Sequence, residues 1–104
     1  MSLIFQTKSV TVDEQTLYGS MGVLENAVIV FFWVGEKPKL GSLTATLPDK
    51  SGSQLLGDRD EVVSRVIGDK VASKYDRIAL VSTNLPLGFE GREVLRLLNE
   101  LMSE

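Results

Sequence analysis

Residues 27–35, Ala-Val-Ile-Val-Phe-Phe-Trp-Val-Gly, are the most apolar run in the chain and the feature that most restricts how it can fold. β-Branched and aromatic residues dominate the run and a glycine closes it, so it reads as a central strand. Side chains alternate across a sheet: Val28, Val30, Phe32 and Val34 point one way, and Ala27, Ile29, Phe31 and Trp33 the other. Neither row is polar. A strand that is apolar on both sides must be covered on both, by helices, by a second sheet or by another chain. What the remaining residues can supply as cover therefore decides how the molecule must behave.

At 104 residues there is room for one core but not for two, so a single domain over 1–104 is expected. With 43% hydrophobic and 24% charged residues, the composition is that of a globular protein and not of a disordered chain. No apolar run approaches the roughly 18 residues of a membrane span. The start, Met-Ser-Leu-Ile-Phe-Gln, shows neither a secretory signal nor the glycine that myristoylation needs. Without cysteine there is no disulfide framework and no thiolate metal site. These features predict a cytoplasmic protein, with access to the nucleus at this size, and no membrane partner. A net charge of -3 with dispersed Lys and Arg argues against a nucleic-acid partner, because phosphate contacts need clustered cations.

The rest of the chain reads as further strands and two late helices. Residues 3–13 carry β-formers in partial alternation and end in a turn at Asp13-Glu14. Residues 15–24 make a second strand, with Leu17, Met21 and Val23 on one side and Tyr18 on the other, bulged at Gly19 or Gly22. The link Glu25-Asn26 is too short for a parallel crossover, so these strands form an antiparallel meander. Residues 36–41 are turn chemistry, and 42–47 alternate cleanly as a fourth strand ended by Pro48. Residues 49–57 read as a loop whose Leu55 and Leu56 pack down. Asp58-Arg59-Asp60-Glu61 is a helix-capping signature, followed at helical spacing by Val62, Val63, Val66, Ile67 and Val71, with Tyr75-Asp76 as the stop. A strand over 77–83 and a helix over about 90–102, with Val94, Leu97, Leu98 and Leu101 on one face, complete the chain.

This order predicts an α+β fold: a largely antiparallel five- to six-stranded sheet with two helices on one face. Two helices can roof one side of such a sheet, so the other is expected to pack against a partner's sheet in a hydrophobic interface. The alternative arrangement puts one helix on each face. Ile29, Phe31 and Trp33 are the subunit-interface candidates, with the opposite row Val28, Val30 and Phe32 as the other choice; sequence does not choose between them.

Residues suited to catalysis are sparse. The chain has no histidine, which removes imidazole base catalysis and histidine metal sites. Residues 35–42 lack the lysine and the spacing of a phosphate loop. Ser51-Gly52-Ser53 has no base placed to activate a nucleophile. Asp58, Asp60 and Glu61 could ligate Mg²⁺ or Ca²⁺, but favourable charge at a helix N-terminus explains them without a metal. Arg92 and Arg96 lie one turn apart and read as solvated helix charges paired with Glu93 or Glu100. No catalytic, cofactor or metal site is predicted, and an interaction protein is the expectation.

Phe32-Trp33-Val34-Gly35, then Pro38, Leu40, Leu43 and Ala45, then Leu55-Leu56-Gly57, Ser64 ahead of Lys70 and Lys74, and Val81-Ser82 with Asn84-Leu85 resemble the proteasome assembly chaperone 4 family over about residues 28–101. The resemblance implies a small chaperone that pairs through stacked sheets, helices outside, with a related subunit, a proteasome assembly chaperone 3-like protein. It further implies binding to an alpha-type subunit of the 20S proteasome, notably the fifth, and help in closing the seven-membered alpha ring in correct order. Two other readings stay open. A homodimeric roadblock-like or longin-like scaffold would place a helix early, whereas no helical pattern precedes Asp58. A small enzyme using carboxylates and a lysine would show a deep polar pocket.

Overall fold

A computed structural model describes residues 3–49, 51–57 and 61–103. The elements are β1 (Phe5–Val12), β2 (Gln15–Val23), β3 (Ala27–Val34), β4 (Ser42–Thr46), β5 (Gly52–Leu56), α1 (Glu61–Tyr75), β6 (Ile78–Asn84) and α2 (Gly91–Met102). The strands make one six-stranded sheet in the order β1-β2-β3-β6-β4-β5. Four of its five pairings are antiparallel; β3 and β6 run parallel at its centre. The α+β class and the largely antiparallel sheet are thus as expected.

β1 and β2 are joined by a two-residue turn, Asp13-Glu14, flanked by the pair Val12↔Gln15. Both turn residues are left-handed, with φ of 50° and 67°. That conformation matches the twist of a hairpin, but it costs an L-residue with a Cβ roughly 1 kcal/mol. Replacing the pair by Asn-Gly is therefore expected to stabilise the domain by about 1 kcal/mol, read as a rise in the urea midpoint at unchanged slope.

The bulge expected in β2 is absent: its register runs unbroken against both neighbours. Its glycines provide space instead. A Cβ on Gly19 would lie 2.8 Å from the Phe32 ring and 3.0 Å from Leu101, and one on Gly22 would lie 2.9 Å from the Phe5 ring. The small residue lets a large neighbour lie across the strand.

Residues 52–56 correct the loop expectation. They form β5, paired to β4 with a register shift between Leu43 and Thr44 that leaves Leu55 as the extra residue. Leu55 and Leu56 do not pack down; they are 53% and 52% exposed. Pairing satisfies the backbone groups along one side of β4, and that need outweighs a polar, glycine-containing composition. In the turn between these strands Asp49 accepts hydrogen bonds from the Ser51 hydroxyl at 2.6 Å and the Ser51 N–H at 2.9 Å. The hydroxyl bond first, then the backbone bonds, hold the Asp49 carboxyl below its usual pKa. Its stabilising effect is present at neutral pH and lost as pH falls through the lowered value.

The capping signature at 58–60 lies outside the described residues. The buried stripe of α1 contains Ser64, Ile67, Val71 and Ala72, whereas Val62 is 77% exposed and off the expected stripe. At 3.6 residues per turn Val62 falls opposite Ser64, whose hydroxyl pairs with that of Thr83 at 3.1 Å. The helix stops as predicted at Tyr75: Asp76 is left-handed, with φ of 52°, and the Arg77 N–H reaches back to the Ala72 carbonyl. α2 buries Val94, Leu97, Leu98 and Leu101 as expected, together with Met102. Its last carbonyls, on Glu100 and Met102, accept from Lys8 and Lys74, which brings cations to the negative end of the helix.

Both helices lie on the same face of the sheet. α1 covers β4 and β6, and α2 covers β1 and β2. Between them and the sheet sits the core, where Leu17, Val28, Val30, Phe32, Ala79 and Val81 are fully buried. The arrangement with one helix on each face is not adopted.

Candidate protein interface

Strand register fixes what the other face presents, because directly paired residues point the same way. Three rows cross the sheet. Phe5, Gly22, Ile29, Leu80 and Ala45 make the first; Thr7, Ser20, Phe31, Ser82, Leu43 and Leu56 the second; Ser9, Tyr18, Trp33 and Asn84 the third. None of these side chains is charged. Such a surface can be covered by another uncharged one without stripping water from an ion.

The candidate residues Ile29, Phe31 and Trp33 fall together on this uncovered face. Val28, Val30 and Phe32 do not: each is fully buried beneath the helices. Phe5 and Phe31 approach with ring centroids 6.0 Å apart and planes tilted by 42°. Tyr18 and Trp33 stack at 5.6 Å with planes 9° apart. Both separations are in the favourable range for aromatic pairs. The missing side chain at Gly22 makes the first pair possible, since the Phe5 ring occupies the space above it. Between the pairs lies a shallow open groove of about 510 Å³, lined by Phe5, Thr7, Tyr18, Ser20, Phe31 and Trp33 and rimmed by Glu36, Pro38, Lys39 and Leu40. The rim is tied down at its far end, where Asn84 donates to the Leu40 carbonyl at 3.1 Å and the Gly41 N–H donates to Ser82 at 2.9 Å.

Phe5, Tyr18, Leu43 and Leu80 were missed as members of this face. Each sits in an alternating or apolar strand, which was a usable signal, but only strand order brings them beside Phe31 and Trp33. Trp33 itself is 6% exposed. Its indole Nε1 is shielded from water, and among the described residues no group accepts its hydrogen.

The other segments weighed for chemistry stay apart. Gly35 turns the chain with φ of 104°, and Lys37 and Lys39 are exposed. Ser51 is engaged by Asp49. Asp58 and Asp60 lie outside the described residues. Arg92 pairs with Glu90 at 3.6 Å and Arg96 with Glu93 at 3.5 Å, both at the surface. Among the described residues no three acidic side chains converge to hold a metal ion.

No protein-family model matches the sequence, and no curated protein is significantly similar to it. The fold is similar to that of a chain in the crystal structure of a novel chaperone complex for yeast 20S proteasome assembly. The TM-score is 0.65 at 12% identity, and the match spans 98% of this chain and 89% of that one. At that identity the likeness is one of fold.

Proposed function

We propose that this chain is a non-catalytic chaperone subunit for assembly of the 20S proteasome, in which the uncharged sheet face packs against the sheet of a related, proteasome assembly chaperone 3-like subunit. The observation that carries the reading is the six-stranded sheet roofed on one side only, its other side uncharged and aromatic, in a fold similar to a chain from a proteasome-assembly chaperone complex. An uncharged face carrying Phe5, Ile29, Phe31, Trp33 and Leu80 matches the core of a permanent interface better than a solvated surface. The pair acts in the cytoplasm on the alpha ring, by binding an alpha-type subunit. Such a task needs no reacting groups: binding the correctly ordered ring intermediate better than the wrong ones shifts the outcome by that difference alone.

Affinity purification of the chain from its native cells, followed by mass spectrometry, tests this. The expected result is co-recovery of a related small chaperone and of alpha-type proteasome subunits. Recovery of neither overturns the reading, and a self-associated chain free of proteasome subunits favours the homodimeric scaffold.

A further inference from the structure

We infer that the related subunit fills the hollow over Thr7 and Ser20 with one large uncharged side chain, a tyrosine, whose phenol hydroxyl bonds to the hydroxyl pair on the hollow's floor. The inference rests on the reading of the uncharged face as a subunit interface and adds the anchor that the partner must bring to it.

The face is not level. Thr7 and Ser20, paired in the middle row, are small, whereas Phe5 in the row before, Tyr18 in the row after and Phe31 beside Ser20 are large. The large side chains stand around the small pair and leave the groove of about 510 Å³ above it. Interface cores pack as densely as protein interiors, so a sheet laid across this face either projects a large side chain into the hollow or leaves a void or water beneath it. Entry requires no movement of the rim loop. Phe5 and Thr7 are exposed on the β1 side, and the bonds from Asn84 and Gly41 that tie the loop down stay in place.

The lining sets the chemistry of the anchor. Rings on Phe5, Tyr18 and Phe31 suit a flat apolar body, which packs well against aromatic neighbours. The floor is polar, with Thr7 Oγ1 and Ser20 Oγ 3.0 Å apart in a mutual hydrogen bond. That bond uses one of the two hydroxyl hydrogens, so the other needs an acceptor once water is displaced. Ser20 is already only 7% exposed, and a side chain seated in the hollow completes the burial of the pair. A phenol meets both demands: its ring lies among rings, and its oxygen accepts from one hydroxyl while its hydrogen is donated to a spare lone pair. A charged tip does not fit, because the three rows carry no counter-ion and the rim charges nearest the groove, Glu36 and Lys39, are exposed and opposite in sign. A wholly apolar tip would bury a hydroxyl hydrogen unpaired.

The probe is the related subunit that co-purifies with the chain, with affinity measured by titration calorimetry. Thr7→Phe fills the hollow from an exposed strand position, where a ring is compatible with the fold, and an unchanged urea midpoint checks that it is. It is expected to weaken capture at least tenfold. The double variant Thr7→Val, Ser20→Ala keeps the hollow but strips both hydroxyls, and is expected to bind about tenfold more weakly. Changing one tyrosine of the related subunit to phenylalanine is expected to cost about the same against the wild-type chain and nothing further against the double variant, which is the mark of direct coupling. A Thr7→Phe chain that binds as wild type means that nothing enters the hollow. A double variant that binds as tightly as wild type, or a related subunit in which no tyrosine couples to the hydroxyl pair, means that the anchor is a different one. Each of these overturns the inference and leaves the interface reading standing, whereas a wild-type chain that captures no related subunit overturns both.

Discussion

Phe31→Asp is expected to weaken capture of the proposed related subunit at least 100-fold, equivalent to about 2.7 kcal/mol, while the chain itself stays folded. Phe31 sits mid-row between Ser20 and Ser82, half-buried in the free chain, with Phe5 as its ring partner. In the complex a carboxylate at this position would lose its water with no cation in the three rows, Lys39 lying out on the groove rim. Central aromatic residues also carry a disproportionate share of binding energy in such interfaces. In the isolated chain the cost is limited to loss of the ring contact and partial burial, about 1 kcal/mol. Titration calorimetry against the related subunit, with urea melts of the free variant, separates the two effects. Unchanged affinity would mean that the uncovered face is not where the partner sits.

One position along, the same kind of side chain does the opposite job. Phe32→Ala is expected to cost about 3–5 kcal/mol of folding stability, a large fraction of the roughly 5–15 kcal/mol typical of a domain. Phe32 is fully buried on the helix-covered face, and its ring fills the space that Gly19 leaves free, near Leu97 and Leu101. Truncation removes that volume where neighbours on two elements cannot collapse into it. Phe31→Ala serves as the control and should cost about 1 kcal/mol in the free chain. The contrast between adjacent phenylalanines is read from urea midpoints of the two variants at constant slope. Equal losses would mean that both faces of β3 are closed within one chain.

Much of the architecture was legible because its signals are local. The apolar run ending in Gly35, the stripe Val94-Leu97-Leu98-Leu101 and the stop at Tyr75-Asp76 each depend on residues within a turn or two. β5 was not legible. Its residues are strand-like only because β4 lies beside them, and the bulge at Leu55 puts two adjacent leucines at an exposed edge. Val62 was misassigned because three more valines and an isoleucine follow it closely enough to fit more than one phase; burial of Ser64 against Thr83 selects the phase that leaves Val62 in water. A small polar residue on the core face of a helix carries no hydrophobic signal to find it by.

The amino-acid sequence by itself determined that β3 is apolar on both sides and that two amphipathic helices must cover whatever sheet contains it. Alternation at one residue in two sorts side chains into rows using nothing beyond the strand's own geometry. Which row went inside was decided only by the tertiary structure. The path of the chain from β4 through β5 and α1 to β6, and on to α2, puts both helices on the side of Val28, Val30 and Phe32 and leaves Ile29 and Phe31 half-buried on the uncovered face, with Trp33 lining the groove beside them. That path is set by contacts between residues far apart in the chain, and a row of side chains carries no record of it.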